Sequence, residues 1–414
     1  MSRAAKLFAL AVLWFSVLTM PPLAHAGGLG IVISGALLGL GGLAITLSSR
    51  PEKRISPPLW VWLFLAFLVW INLTALWSPY AADGVTNAHK IAATGVLLLF
   101  VPQILTHVSA DLRALLRRVI ITISVIAVAV MLVDVVSGWR ISLMFDPVSP
   151  GESIHAQRSD ALQNVGHGIF TYGQYVPPLI MLILCTMNRP WSWLAATSMI
   201  ALTALAGVFN MLDIAPLMIL ISLAVMGLAY IWPKTIVSIS LLTFAGLILA
   251  APLFGIVSQQ VLKMDGLTLP ASWDHRFHMW AYCWEQIQTA PLWGHGFDAS
   301  RAMQDTYLAK TGQEMALLSL HPHNAGLQIW LETGLVGVLL FCSTVLALWR
   351  PAHRYVSTKP RAAALCGWLA ATAIIGATTL GVWQFWWWGV VGYGLVLLQL
   401  VPAKSRDTYQ SGET

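Results

Sequence analysis

Long apolar stretches, separated by short polar ones, follow one another along nearly the whole chain. Each is close to the length of about 20 residues that a helix needs to cross a bilayer. They fall near residues 5–23, 29–47, 59–77, 91–108, 116–136, 169–187, 191–209, 214–232, 235–256, 325–348, 362–382 and 385–402. The pattern predicts an all-α polytopic membrane protein with about twelve transmembrane helices.

The composition agrees with a membrane protein and excludes a mainly soluble one. Hydrophobic residues make up 57% of the chain and charged residues 10%, whereas soluble domains contain about 25% charged residues. The net charge is +6, but no basic block of the kind that nucleic acids require is present. We therefore expect membrane lipid around the protein and no nucleic acid partner. The run Trp386-Trp387-Trp388 predicts an aromatic belt at the membrane surface.

The first 27 residues have the features of a secretory signal. Arg3 and Lys6 precede an apolar run, and Ala24-His25-Ala26 has the small-x-small form of a cleavage site. The alternative is a first membrane helix that remains in the protein. We favour the helix because it makes the charge distribution of the loops consistent.

The positive charges predict an orientation. If odd-numbered helices run outward, most of the 23 Lys and Arg residues fall in inner loops, as the positive-inside rule requires. Both chain ends are then predicted in the cytoplasm, and a smaller outer loop is predicted near 137–168. The remaining division is helices one to nine in 1–256, a large outer loop in 257–324, three helices in 325–402 and a tail in 403–414.

The most informative polar residues lie where the large outer loop meets an apolar helix. They are His321, Pro322, His323 and Asn324. Polar groups at a membrane boundary are functional candidates. His323 and Asn324 are predicted at the cap and first turn of the helix, where free backbone N–H groups and the positive end of the dipole bind anions. The same positive end favours a neutral His323 that can accept a proton.

A second candidate precedes these residues in the same loop. Arg276 and Trp280 are four residues apart on a predicted helix that Asp274 caps and Pro291 ends. A turn with the sequence Pro-Leu-Trp-Gly-His-Gly follows at 291–296. The alternative for Arg276 is an amphipathic helix on the membrane surface, with the charged group extended toward water.

The sequence predicts neither a metal ion nor another cofactor. His321 and His323 are separated by a proline, which is not a familiar metal-ligand spacing. Of the four cysteines, only Cys283 lies outside the predicted transmembrane helices, so no disulfide is expected. A metal site remains the alternative, with further ligands from His275, His278 and His295.

Together these motifs resemble the O-antigen ligase and polymerase family of polytopic membrane glycosyltransferases. The shared pattern is Arg276 before Trp280, then Pro-Leu-x-Gly-x-Gly at 291–296, then His323-Asn324 opening a helix. Glu-x-Gly-x-x-Gly follows at 332–337. The specific motifs cover about 276–337, and the helix arrangement covers most of the chain. The fold that the resemblance implies is GT-C-like.

The resemblance implies a metal-independent, inverting glycosyl transfer at the periplasmic face of the bacterial inner membrane. The implied donor is a glycan on undecaprenyl diphosphate, and the implied acceptor is lipid A–core in lipopolysaccharide assembly. His323 would deprotonate or orient the acceptor hydroxyl, and Arg276 would hold the diphosphate, so both are the expected catalytic residues. The residues expected to bind substrate are Asn324, His321, Trp280 and Arg158.

The chain departs from the family at one position. A second arginine is usual near 207–213, but that segment contains none. Arg158 or Arg140 in the other outer loop is the candidate replacement, and both have the alternative of being solvated charges. Glu332, inside the helix, is expected to have a structural role.

Three other functions remain open at this point. One is a repeat-unit polymerase of the same family, for O-antigen or exopolysaccharide. Another is a transporter, which twelve helices also fit, although carriers keep charged groups near the bilayer midplane and this sequence concentrates them in one outer loop. The last is a structural membrane protein without an active site.

Overall fold

The computed structural model describes residues 2–49, 56–145, 153–264, 266, 268–309, 312–318 and 320–403. These residues form mostly α-helices, with one small antiparallel strand pair. The helices are α1 (Arg3–His25), α2 (Leu29–Ser48), α3 (Leu59–Thr74), α4 (Ala81–Leu98), α5 (Ala110–Val136), α6 (Arg140–Phe145), α7 (Ile154–Thr186), α8 (Trp191–Phe209), α9 (Ile214–Ile231), α10 (Pro233–Leu249), α11 (Pro252–Val261), α12 (Ala271–Thr289), α13 (Ala325–Ala347), α14 (Trp349–Tyr355), α15 (Lys359–Thr378) and α16 (Phe385–Leu400). The strands are β1 (Thr306–Leu308) and β2 (Glu314–Ala316), with Tyr307 opposite Met315.

The predicted all-α polytopic membrane class is confirmed. Within the described residues, ten helices are long and apolar enough to cross a membrane. The pair α10 and α11 adds an eleventh if it is one span, and it bends by 61° at the break. Pro252 begins α11 and has no backbone N–H to continue the preceding helix. The twelfth predicted span corresponds to α16, which is shorter, at 16 residues.

The predicted outer loop near 137–168 is largely helical. Residues 140–145 form α6, and α7 begins at Ile154 and continues for 33 residues. The predicted span 169–187 is therefore only the second half of α7. The most apolar window of α7 is 89% buried inside the protein. Protein and not lipid surrounds this helix, so polar residues are compatible with it. A search for apolar stretches does not detect a helix of this kind.

The prediction of an aromatic belt at Trp386, Trp387 and Trp388 is wrong. None of the three side chains is more than 9% exposed. The indole N–H of Trp387 donates to Gln174 Oε1 (3.2 Å), and that of Trp388 donates to the Val382 carbonyl (2.8 Å). Since α16 packs between α2 and α7, these rings fill the interior of the bundle.

The N-terminal segment folds as a helix that packs in the bundle. One face of α1 is buried against α2, α5 and α7. At its C-terminal end, His25 Nε2 lies 2.8 Å from Oδ2 of Asp134, whose side chain is fully buried. Ser142 Oγ donates to the same carboxylate oxygen at 2.6 Å. These contacts connect α1 to α5 and α6.

The segment between α11 and α13 folds onto the end of the bundle as a small second core. Met279, Trp280 and Cys283 of α12 are buried against Leu327 and Leu331 of α13. Trp280 is only 3% exposed. The alternative of a free amphipathic helix on the membrane surface therefore does not describe α12, which packs on α11 and α13. The helix begins at Ala271 after Pro270, so Asp274 lies in its first turn and is not the predicted cap.

Candidate active site

His323 lies one residue before the cap of α13, in a backbone conformation that is uncommon for a side chain. Its φ is +50°, a left-handed region that non-glycine residues occupy rarely and often at functional sites. Two contacts hold the preceding chain. The indole N–H of Trp280 donates to the Pro322 carbonyl (2.9 Å), and His323 N–H donates to His321 Nδ1 (3.2 Å). The backbone that presents the His323 ring is thus fixed from two sides.

Asn324 is the N-cap of α13 and uses both of its side-chain polar atoms within the protein. Oδ1 accepts from Leu327 N–H (2.9 Å), and Nδ2 donates to the Ala377 carbonyl (3.0 Å). Its side chain is 1% exposed, and the first four residues of α13 are buried as well. This differs from the predicted anion seat at the helix N-terminus. The prediction missed that α15 ends against this turn and covers it.

The ring of His323 is held in one tautomer. Nδ1 lies 2.6 Å from the Thr379 carbonyl oxygen, which only accepts, so Nδ1 carries the proton of the neutral ring. Nε2 is then the unprotonated nitrogen. It has no hydrogen-bond partner among the residues that the structure describes. An imidazole oriented in this way is suited to accept a proton from a substrate.

The pKa of His323 is lowered from its ordinary value, in the direction expected from the sequence but for another main reason. Burial is the largest cause, because it disfavours the charged ring. The hydrogen bond to Thr379 opposes this and raises the pKa. The nearby charges of Arg276 and His275 lower it further. His323 is thus neutral over a wider pH range than a solvated histidine.

His321 lies behind His323 and supports it. The two ring centroids are 4.5 Å apart, and the His321 side chain is 6% exposed. Nδ1 accepts from His323 N–H, and Nε2 lies 3.1 Å from the side-chain amide of Gln384. Burial, followed by the charges of His323, Arg301 and His167, lowers the pKa of His321 to about 3. With both nitrogens occupied, His321 has a positioning role in place of the expected substrate contact.

Arg276 is a partly buried cation for which the described residues provide no ion-pair partner. Its guanidinium stacks over the Trp273 ring at 5.3 Å. Nε is buried and has no hydrogen-bond partner in the described part of the chain, and the three ion pairs found there do not include Arg276. Burial lowers the pKa of Arg276, and the charge of Asp213 opposes that change. Asp213 belongs to the segment 207–213, where the family usually has its second arginine.

The two remaining predicted substrate-binding residues have different positions. Trp280 is buried behind the Pro322 carbonyl, so it positions the backbone of His323 and is shielded from a substrate. Arg158 is exposed in the first turns of α7. No hydrogen bond or ion pair connects it to the described residues around His323. The charge of Arg276 acts on His323, whereas no contact among the described residues links Arg158 to either of them.

Glu332 joins several segments of the site. Its side chain is fully buried in α13. Oε2 accepts from the backbone N–H of Asp298 (2.6 Å) and the indole N–H of Trp383 (2.6 Å). Oε1 accepts from Ser300 Oγ (2.7 Å) and Gln328 Nε2 (3.1 Å). Four hydrogen bonds to a buried carboxylate agree with the structural role expected for this residue.

The two glycine motifs form one structural unit, which we call the glycine junction: residues 291–296 packed against 332–337. Gly334 interrupts α13 with φ +62° and ψ −169°. The turn fits into this break, where Gly296 N–H donates to the Glu332 carbonyl (3.0 Å) and Leu335 N–H donates to the Pro291 carbonyl (2.9 Å). A Cβ on Gly334 would lie 2.3 Å from the Leu292 carbonyl oxygen. Glycine is required here because two backbones touch.

Residues 379–384, between α15 and α16, are part of the candidate site that sequence reasoning missed. Besides Thr379 and Gln384, which contact the two histidines, Val382 N–H donates to Gln328 Oε1 (2.8 Å). A Cβ on Gly381 would lie 2.7 Å from His321 Cγ. The segment was counted as the end of an apolar span. Gly381 was the available signal, because a glycine at a helix end often marks a close backbone approach.

The outer-loop histidines considered as further metal ligands are engaged in other contacts. His275 Nδ1 lies 3.1 Å from the Tyr307 hydroxyl, and the His278 ring stacks on Tyr307 with centroids 4.1 Å apart. His295 Nε2 lies 2.9 Å from the Gln286 carbonyl. Within the described ranges, no group of three or more His, Cys, Asp or Glu side chains is arranged to hold a metal ion.

An apolar cavity of about 600 Å³ adjoins the site. It lies among α13, α15 and α16, with α3 and α10 completing the wall. Its lining includes Asn324, next to His323, and residues along α13 as far as Leu348. Most of its lining side chains are apolar, so it is suited to a hydrocarbon chain and not to a polar solute.

Comparison with known proteins supports the family resemblance. Residues 197–342 match the family model described as O-antigen ligase. That range contains Arg276, His323 and both halves of the glycine junction. It does not contain residues 379–384.

Two relatives from Rickettsia species carry the name "Putative polysaccharide ligase". The protein of Rickettsia felis is 30% identical over 162 residues, which are 37% of this chain and 40% of the relative. The protein of Rickettsia bellii is 32% identical over 183 residues, which are 42% of this chain and 45% of the relative. The match thus spans less than half of each relative. Together with the family model, these similarities confirm the resemblance that the motifs indicated.

Proposed function

We propose that this chain, as a member of the O-antigen ligase family, transfers a glycan from undecaprenyl diphosphate to an acceptor sugar at the periplasmic face of the inner membrane. The acceptor that we propose is lipid A–core. The observation that carries the proposal is a neutral His323 close to the charge of Arg276. In the described part of the chain, His323 Nε2 has no hydrogen-bond partner and Arg276 has no ion-pair partner. A base and an anion-binding cation are the two groups that such a transfer needs.

The proposed reaction is a single displacement. The acceptor hydroxyl oxygen attacks the first carbon of the donor glycan, and its proton passes to His323 Nε2. The bond from that carbon to the diphosphate oxygen breaks on the opposite face, so the configuration inverts and undecaprenyl diphosphate leaves. Protonation makes His323 an imidazolium, which the Nδ1–H bond to the Thr379 carbonyl stabilises. The proton later returns to solvent.

Arg276 is proposed to bind the diphosphate while negative charge builds up on it. A guanidinium forms paired hydrogen bonds with phosphate oxygens. Its partial burial strengthens that attraction, because water competes less. The positive charge that this mechanism needs comes from the side chain itself, which is why we propose a metal-independent transfer.

The lipid part of the donor is proposed to enter the apolar cavity. Since Asn324, the neighbour of His323, lines the cavity, a diphosphate near His323 would lie close to the space proposed for its hydrocarbon chain. This arrangement supports a lipid-linked donor.

The function is tested by deleting the gene in its native host and restoring it on a plasmid. Ligase loss predicts lipopolysaccharide with bare core, together with accumulated long lipid-linked polymer. Core bearing a single repeat would instead indicate a polymerase, which the names of the relatives do not favour. An unchanged lipopolysaccharide ladder would contradict both. Transfer by the purified protein in the presence of a chelator tests metal independence.

The pH dependence of transfer follows from the pKa of His323. Activity requires the neutral ring, and burial together with the charge of Arg276 lowers this pKa. The rate is therefore expected to fall with acidification only below about pH 6.5, the ordinary histidine value. In Arg276→Gln, the remaining activity should already begin to fall at a higher pH on acidification, because one of the charges that oppose protonation of His323 is gone. Initial rates at limiting donor concentration across pH measure the shift.

Arg276→Lys is the control for this shift. It keeps the positive charge, so its activity should fall at the same acidic pH as that of the unmodified protein. If activity falls at the same pH in all three proteins, Arg276 does not lower the pKa of His323.

A further inference from the structure

We propose that Arg301 is a second cation that binds the donor diphosphate and so replaces the family arginine absent from residues 207–213. The sequence does not single out Arg301, since it belongs to none of the motifs shared with the family. The inference rests on the proposed function. It is carried by the way in which Arg301 is anchored beside the histidines.

Arg301 is fixed at its Nε end only. Nε donates to Asp298 Oδ1 at 3.0 Å, and the guanidinium lies over the Tyr80 ring at 6.0 Å. The described residues provide no hydrogen-bond partner for its two terminal nitrogens. The side chain is 32% exposed. The end of the guanidinium that makes paired bonds with a phosphate is therefore accessible.

Asp298, which holds Arg301, is itself rigidly placed. It is 2% exposed, and its φ is +61°. Its backbone N–H donates to Glu332 Oε2, and its Oδ2 accepts from Asn87 Nδ2 at 2.9 Å. Asp298 is therefore attached to α13 through its backbone and to α4 through its carboxylate. A cation anchored in this manner does not need to be ordered when the substrate binds.

The same turn places Arg301 close to the histidine pair. The neighbouring Ser300 donates through Oγ to the carbonyl of Leu320 at 3.1 Å, and Leu320 directly precedes His321. The charge of Arg301 is close enough to contribute to the low pKa of His321. Arg276 acts in the same way on His323. Each histidine of the pair thus has its own arginine nearby.

Two arginines suit a diphosphate better than a monophosphate. A diphosphate has two phosphoryl groups, and each can accept paired hydrogen bonds from one guanidinium. The competing explanation is that Arg301 only neutralises the buried carboxylate of Asp298. That explanation predicts an effect on stability and none on the choice between lipids with one or two phosphates.

The experiment measures binding of undecaprenyl diphosphate and undecaprenyl monophosphate to the full chain in nanodiscs, by tryptophan fluorescence. We expect Arg301→Gln to weaken diphosphate binding by about tenfold or more, the loss expected for charge-assisted hydrogen bonds. Monophosphate binding should change much less, so discrimination between the lipids falls. Arg301→Lys keeps the charge without the paired donors and should recover only part of the affinity.

The controls separate the possible failures. Lys263→Gln removes an exposed positive charge at the end of α11 and should leave both affinities unchanged. Thermal unfolding of each variant without lipid reports whether Arg301→Gln retains the fold. If Arg276→Gln loses diphosphate binding and Arg301→Gln does not, the role of Arg301 is wrong while the proposed function stands. If Arg158→Gln shows the selective loss instead, the sequence-based candidate is the second cation. If the unmodified protein binds neither lipid, both proposals are wrong.

Discussion

Replacing His323 by asparagine is expected to lower the rate of glycan transfer by about a hundredfold to ten-thousandfold, the usual contribution of a general base. Asparagine suits the position because it tolerates the left-handed conformation at φ +50°. Its side-chain amide can still donate toward the Thr379 carbonyl. It has no basic nitrogen in place of Nε2. The measurement is transfer from a lipid-linked donor by the reconstituted protein, with donor binding measured in parallel.

A base assignment requires that donor binding survives while the rate falls. His89→Ala is the matched control, because His89 is exposed on α4 and bonds only to the carbonyl of Val85 one turn earlier. It should transfer at the unmodified rate. If His323→Asn also transfers at that rate, His323 is not the base, however well it is oriented.

Replacing Gly334 by alanine is expected to destabilise the protein by at least about 3 kcal/mol, from backbone strain and overlap together. At φ +62° and ψ −169°, the backbone is in a region that essentially only glycine adopts. The new Cβ would also lie 2.3 Å from the Leu292 carbonyl oxygen, and a backbone atom cannot rotate away. The turn at 291–296 would have to leave the break in α13.

The expected results are a lower thermal unfolding midpoint in detergent and loss of transfer. Activity should fall because the glycine junction positions Glu332, which accepts hydrogen bonds from Asp298 and Ser300. Ser300 in turn bonds to the carbonyl of Leu320, directly before His321. Gly246→Ala is the matched control, since no atom lies within 4 Å of a Cβ built on this helical glycine. It should be neutral or slightly stabilising. Equal stability of the two variants would contradict the account of the junction.

The helices were largely predictable because lipid imposes a simple rule on the chain. Segments such as α2, α5 and α8 face lipid on one side, so they had to be long and apolar, and the sequence shows this directly. The rule fails for helices that protein surrounds. The first half of α7 carries polar residues and was taken for a loop, and Trp386–Trp388 were assigned to the surface although α16 is central. In both cases burial by other helices replaced burial in lipid.

The site was predictable only where a residue's chemistry is unusual for its place in the chain. His323 and Arg276 stood out for that reason, and the charge of Arg276 acts on His323. Their environment could not be predicted, since Thr379 and Gln384 approach from a segment that looked like the end of a helix. Arg301 appeared to be one loop charge among several. What distinguishes it is the buried carboxylate of Asp298, and the burial of a side chain depends on packing between segments distant in sequence.

The hydrogen bond from His323 to the Thr379 carbonyl also limits how this protein can be divided. The proposed proton acceptor, His323, lies inside the region 197–342 that matches the family, but the group that sets its tautomer lies 56 residues further along the chain. The matched region is therefore not a transplantable module. A chimaera built to exchange acceptor preference between relatives would have to carry residues 379–384 with it, or it would graft a histidine whose proton sits on the wrong nitrogen.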